Sequence, residues 1–582
     1  MVETRACQSC KKDFTIDEAD FDFYKKVGVP PPTFCPQCRM IRRFAWRNER
    51  FLYRKPDSTT GKMLFSSFPA ESPVKVISQE EWSSDSWDAM QYGREYDFSK
   101  SFFTQFRELM LQVPWAARWV VNIINSDYNI NTNDAKDCYL VMSSSYVQNS
   151  AYSVWLSTTE DSMDLYNAEK CSFCYESTFL KNCSRIFFST RCDSSQNLLF
   201  CRDCVGCSDC FGSVNLRNKS YCFFNEQLTK EEYEKRIAAL GLGSHARREE
   251  LEKQVGDFWL KFPVRYVFGR QNQDTTGEYI FNSKNVHDSY NIAPGEDLKY
   301  CQNILKGPAK DSYDYSNWGE NAELMYEALL SGLNISNCRF TVWCWTNDVD
   351  LQYSMNCRNS SHLFGCIGLN NKQYCILNKQ YSKEEYEALV PRIIKQMSEV
   401  PYTDKQGLVY RYGEFFPIEF SPSPYNETIA QEFMPITKEE AVKKGFFWRE
   451  EAERDYAITK PTDSLSDRIQ DVTDSILDDV VGCAHGGRCA DGCSKGFKLT
   501  KQELEFYRRF SLPLPRLCFS CRHIQRLTQR NLAKLFKRSC QCVEAIHAHH
   551  KGKICSNEFM TAYTPDRPEI VYCEQCYQAE VA

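Results

Sequence analysis

The stretch Cys7–Arg54 is repeated near the other end of the chain, which obliges the fold to contain the same module twice. The first copy opens CQSCKKDF, runs through FYKKVGVPPPTFCPQCR and ends MIRRFAWRNERFLYR. The second opens CADGCSKGF at Cys489, then reads FYRRFSLPLPRLCFSCR and HIQRLTQRNLAKLFKR. One offset of 483 residues carries Cys10 to Cys493, Phe23-Tyr24 to Phe506-Tyr507, and Cys35 and Cys38 to Cys518 and Cys521. So many coincidences without a gap mean internal duplication.

Two cysteine pairs around a short ordered loop suit a tetrahedral ion whose shell is closed by four thiolates at ~2.3 Å. The expected ligands are Cys7, Cys10, Cys35 and Cys38 in the first copy, and Cys489, Cys493, Cys518 and Cys521 in the second. Cys489 and Cys493 are one residue further apart than Cys7 and Cys10, which leaves Cys483 or His485 as substitutes for Cys489. Further on, FPAESPVKVISQEEW after the first module matches YTPDRPEIVYCEQCY after the second, so Ser78 and Glu81 stand where Cys573 and Cys576 stand. The C-terminal copy is therefore expected to hold another ion through Cys542, Cys555, Cys573 and Cys576, with Cys540 as the alternative ligand. His547, His549 and His550 are further candidate ligands, but the cluster is read as a solvated loop insertion. Zinc is the expected cofactor, about three structural ions in all.

With 582 residues the chain can form several domains. Thirty cysteines could suit a secreted disulfide protein, but MVETRACQSC carries no apolar leader and no run reaches membrane-spanning length. Cysteine pairs at metal spacing without a leader point to a reducing, cytoplasmic setting. The net charge of -6 argues against uniform coating of nucleic acid, although the chain has basic ends and a more acidic middle.

From Asp137 short runs such as CYLVMSS, AYSVWLS, CSRIFFS and YCFFN recur between Asp, Asn and Ser, the signature of a parallel β-solenoid. This block ends FGSVNLRNKSYCFFNEQLTKEEYEKRI, and FGCIGLNNKQYCILNKQYSKEEYEALV echoes it 153 residues later. Each copy closes on a helix opened by a capping box, Thr229 with Glu232 and Ser382 with Glu385. The cysteines of CRDCVGCSDC (Cys201 to Cys210) are read as packing residues; the competing reading is a metal cluster. On an ordinary strand their spacing of three would alternate faces.

The expected architecture is mainly β with α segments: a duplicated parallel β-solenoid flanked by treble-clef or zinc-ribbon modules at both ends. Its parts are a finger with a degenerate metal-free ribbon (1–98), the first solenoid block (99–228), a helical linker (229–275) and the second block (276–381). A capping helix and connecting strap (382–482) and a C-terminal double metal module (483–582) complete it. The strap is expected to carry a helix over 437–445 and an acidic one with Ile469, Val472, Ile476 and Val480 on one side.

No phosphate loop is present, and Gly241 and Gly243 follow no strand. No catalytic triad can be nominated, and four cysteines around zinc leave no open position for water. The basic tract after each knuckle stands out. Arg39, Arg43, Arg47 and Arg54 fall by the same offset on Arg522, Arg526, Arg530 and Lys537, while Arg42 and Arg50 widen the first stripe. Spacing of four puts 39, 43 and 47 on one side of a helix, a common way to engage phosphates. The expected function is thus a zinc-stabilised scaffold that binds nucleic acid or a ribonucleoprotein such as the ribosome. The alternatives are a protein-interaction scaffold whose arginines are internal, and a carbohydrate-active or other enzyme using a solenoid groove.

FYKKVGVPPPTFCPQCRMIRRFAWRNER, SDSWDAMQYGREYDFS, FGSVNLRNKSYCFFN, PITKEEAVKKG and TPDRPEIVYCEQCY together resemble a family of cysteine-rich proteins of candidate phyla radiation bacteria. The likeness runs end to end. Some members carry a CaiB/BaiF CoA-transferase label that nothing in these residues supports. The family's RKCD after the first finger reads RKPD at Lys55-Pro56-Asp57, in keeping with a lost second site. The resemblance implies a bacterial cytoplasmic origin and supplies no activity.

Overall fold

The computed structural model describes residues 2–450, 457–489, 492–543, 547, 550 and 554–581. Two long parallel sheets dominate it, one built from strands between Val120 and Gln227 and one from strands between Gly269 and Gln380. Both are solenoids. In the first, each residue pairs with the residue 12 positions on, as in Ser145 with Ser157 and Leu165 with Ser177. In the second the step varies: Val349 pairs with Ser361, Tyr326 with Arg339 and Gln302 with Ser316.

A period of three explains the coil. From Asn131 to Phe224 every third residue is left-handed at φ near +50° to +60°, including Gly206 and Gly212. Each 12-residue coil is thus four triplets joined by four corners. A left-handed corner costs a non-glycine residue about 1–2 kcal/mol, least for Asn and Asp. Contacts between coils offset that cost: Asn122 Nδ2 donates to Asp134 Oδ1 at 2.9 Å, and Asn197 Nδ2 to Asp209 Oδ1 at 3.0 Å. The residue after each corner points into the coil, where serine and cysteine share the core with Val141, Leu156, Leu165, Leu180, Ile186 and Leu198.

Where serine or cysteine takes such a position, the two make the same contacts. Ser162 Oγ donates to the Glu160 carbonyl at 2.8 Å and accepts from Cys174 N–H at 3.0 Å. Cys174 Sγ in turn donates to the Ser172 carbonyl at 3.3 Å. The three-residue period also corrects the reasoning about Cys201, Cys204, Cys207 and Cys210. They do not alternate faces; all four point inward, buried, each with its sulfur on the carbonyl two residues back. They pack the core, and they do so because of the corners. Burial raises such thiols, Cys138 to about 11 and Cys301 to about 12.

Each solenoid ends in a small antiparallel hairpin, Cys222–Phe223 with Glu226–Gln227 and Gln373–Ile376 with Lys379–Gln380. The helices Lys230–Ala238 and Lys383–Glu399 follow, both opened by the capping boxes read from the sequence. The strap has the helix Lys438–Lys443, but the acidic stretch after it forms only short 3-10 turns, Ile469–Asp471 and Asp474–Leu477. Ile469 and Ile476 are buried there without an α-helix, packed beside Leu504 and Tyr507.

Candidate metal centres, docking arginines and ligand cleft

Each finger is a knuckle followed by a nine-residue helix, Pro36–Phe44 in the first and Phe519–Leu527 in the second. The thiols of Cys7, Cys10, Cys35 and Cys38 lie within 4.8 Å of one another. In the second finger the four-thiol group is Cys483, Cys493, Cys518 and Cys521, so Cys483 takes the place expected for Cys489. In the C-terminal ribbon the group is Cys540, Cys555, Cys573 and Cys576, with Cys540 replacing the expected Cys542.

One recurring hydrogen bond explains both corrections. Cys35 N–H donates to Cys7 Sγ at 3.3 Å, Cys518 N–H to Cys483 Sγ at 3.3 Å, and Cys573 N–H to Cys540 Sγ at 3.2 Å. The loop fold, rather than the distance along the chain, selects the sulfur that faces this amide. The groups also fit an ion. Four thiolates at ~2.3 Å from a tetrahedral centre stand about 3.8 Å apart. The separations here are 3.7 Å for Cys10–Cys35, 3.9 Å for Cys493–Cys518 and 3.9 Å for Cys555–Cys573. These are closed four-thiolate sets with the geometry of structural metal sites. Cys489 instead joins His485 and Cys521 in a three-donor group.

In the first ribbon a carboxylate stands where the C-terminal ribbon has a thiol. Asp57 falls on Cys540 by the 483-residue offset, and its Oδ2 accepts from Ser78 N–H at 3.1 Å. Its Oδ1 accepts from the backbone amides of Thr59 and Thr60 at 2.8 and 3.0 Å. Aspartate in an offset cysteine position was the available signal, and sequence reading missed it.

The arginine tracts are internal. Arg39, Arg42 and Arg43 are at most 1% exposed. Asp314 takes Arg39 at 2.8 Å and Arg43 at 3.0 Å; Glu327 takes Arg42 at 2.7 Å and Arg43 at 3.0 Å. Glu414 of the strap also binds Arg42, at 3.1 Å. In the second finger Asp164 takes Arg522 at 3.1 Å and Arg526 at 2.9 Å, and Glu176 takes Arg526 at 3.2 Å. Arg47, Arg50 and Arg530 are buried as well, on Glu49, on Glu432, and on Tyr166 with the Glu432 carbonyl. Burial opposes the charges of Arg39 and Arg522, but the carboxylates of Asp314 and Asp164 more than offset it and hold both pKa values above the usual range. Of the ten basic residues expected to meet phosphate, only Arg54, over the Phe65 ring, and Lys537, on Glu558, face solvent.

The docking is crossed and duplicated. The N-terminal finger sits on the second solenoid block, and the C-terminal finger on the first. In both, an Asp at one corner and a Glu at the same corner of the next coil receive the arginine pair. Phe23 stacks on Tyr313 with ring centres 3.9 Å apart, and the equivalent Phe506 lies 5.8 Å from Tyr175.

Between the blocks lies a cavity of about 1080 Å³, lined by Trp155 and Phe179 of the first block and Trp318, Trp343 and Trp345 of the second. All five rings are half-buried. The blocks meet at one side, where Phe179 stacks on Tyr279 at 4.3 Å and Arg270 pairs with Asp193 at 2.8 Å. An asparagine ladder lines one wall, Asn291 donating to Asn303 at 2.8 Å and Asn303 to Asn317 at 2.9 Å. Asn291 Oδ1 and Asn356 Nδ2, both at the wall, are buried without a hydrogen-bond partner. Among the described residues, no helix is long and apolar enough to cross a membrane.

Comparison with protein-family models and with curated proteins gives no match.

Proposed function

We propose that this chain is a zinc-stapled β-solenoid scaffold that takes its ligand in the cleft between the two blocks, not along the arginine tracts. The observation that carries this reading is the cleft itself, walled by half-buried aromatic rings that include Trp155, Phe179, Trp318, Trp343 and Trp345. Its chemistry favours a carbohydrate. Flat apolar faces of sugars stack on tryptophan, and amides at the corners suit hydroxyl groups. A polyanion finds part of the basic lining already neutralised, Arg191 by Asp203 at 2.7 Å, Arg270 by Asp193 at 2.8 Å and Lys181 by Glu169 at 3.3 Å. Arg118 and Arg217, bonded to backbone carbonyls, and Lys306 keep positive charge there. Binding of nucleic acid or a ribonucleoprotein would have to rest on Arg54, Lys537 and surfaces outside the tracts.

Titration with a panel of neutral oligosaccharides, followed by tryptophan fluorescence, is the test. A saturable change is expected, and Trp318→Ala should weaken it about fivefold, the loss of one aromatic stacking contact of about 1 kcal/mol. Trp318→Ala and Trp155→Ala both need a melting control, because Trp318 Nε1 also donates to Glu320 at 3.2 Å and Trp155 Nε1 to Glu49 at 2.7 Å. No response across the panel overturns the carbohydrate reading. Salt-linked RNA binding that Trp318→Ala leaves unchanged would restore the nucleic-acid reading.

A further inference from the structure

We propose that the C-terminal ribbon holds two metal ions that share the thiolate of Cys576. Its sulfur belongs to two donor sets at once: Cys540, Cys555 and Cys573 on one side, and Cys542, His547 and His550 on the other, each set within 4.8 Å. The second set is two sulfurs and two imidazole nitrogens, a zinc donor set. With bonds of ~2.3 Å to sulfur and ~2.05 Å to nitrogen, tetrahedral S···N edges are about 3.6 Å. Cys542 Sγ stands 3.1 Å from His547 Nδ1 and 3.6 Å from His550 Nε2.

Four further points support the second ion. His547 Nε2, on the far side of the ring, lies 3.6 Å from the carboxylate of Glu580, the outer partner that metal-bound histidines commonly keep. His547 is only 3% exposed, so the expectation of a solvated histidine loop is corrected for this residue; His549 lies outside the described residues. Duplication isolates the insertion that supplies these donors. Six residues (57–62) separate the hairpin strands of the first ribbon, against eighteen (540–557) in the second, and those extra residues include Cys542, His547 and His550. Charge also improves: four thiolates on one divalent ion leave two negative charges, whereas five thiolates and two neutral imidazoles on two ions leave one.

The test is metal content of the full chain, with cadmium-113 resonance of the cadmium-exchanged protein. Four ions per chain are expected, and the double variant Cys542→Ser, His550→Gln should lose one of them and keep the four-thiolate signal. On the unaltered chain, the two C-terminal cadmium resonances should be split by coupling through the shared sulfur, which keeps the proposal testable if the variant misfolds. Three ions per chain, an unchanged count in the double variant, or no coupling would overturn it.

Discussion

Glu327→Ala is expected to cost about 3–5 kcal/mol of stability, the price of leaving buried charges without their partner. Glu327 is fully buried and is shared by Arg42 and Arg43, at 2.7 and 3.0 Å. Removing it leaves Arg42 on Glu414 alone and Arg43 on Asp314, which also serves Arg39. Asp164→Ala should cost as much at the other finger, because Asp164 is fully buried and holds both Arg522 and Arg526. Glu558→Ala is the control: its pair with Lys537 is exposed at both ends, and such pairs are worth about 0–1 kcal/mol. Urea midpoints at constant slope measure all three. A loss below about 1 kcal/mol for Glu327→Ala would mean that the tract does not clamp the finger to the solenoid.

The second large effect separates two neighbouring cysteines. Cys483→Ser should remove one metal ion per chain and unfold the second finger, whereas Cys489→Ser should retain both ion and fold. The reason is that Cys483 Sγ accepts from Cys518 N–H and completes the four-thiol group, and Cys489 lies outside it. Structural zinc contributes an apparent ~10–16 kcal/mol to folding of small zinc modules at neutral pH, so the contrast should be all-or-none within the finger. The solenoid β signal should survive, because stacked coils are held by their neighbours. Elemental analysis with circular dichroism reads both quantities. Loss of metal in Cys489→Ser with retention in Cys483→Ser would reverse the assignment.

The fold was legible because its signals were long and repeated. Two duplications, the knuckle spacings and the capping boxes at Thr229 and Ser382 all sit in contiguous residues. The corner period was present too, in the threefold spacing of Cys201, Cys204, Cys207 and Cys210, but strand geometry was the wrong ruler for it. Ligand choice at Cys483 and Cys540 was less legible, since it depends on which sulfur faces a backbone amide after the loop has folded. The arginine tracts misled for a related reason. Their partners Asp164, Glu176, Asp314 and Glu327 lie hundreds of residues away, on corners that look like any solvated carboxylate in sequence. The cleft combines residues from both blocks and from the first finger, and no single stretch announces it.

The tracts after the knuckles act as internal clamps between finger and solenoid. Arginine accessibility tests this role most directly: the native full chain is treated with a dicarbonyl reagent specific for guanidinium, and each site is quantified by mass spectrometry. Arg54 is exposed and should react, while Arg39, Arg42, Arg43, Arg522 and Arg526 should stay unmodified until the chain is denatured. Modification of those five in the native protein at the rate of Arg54 would contradict the account and return the tracts to solvent.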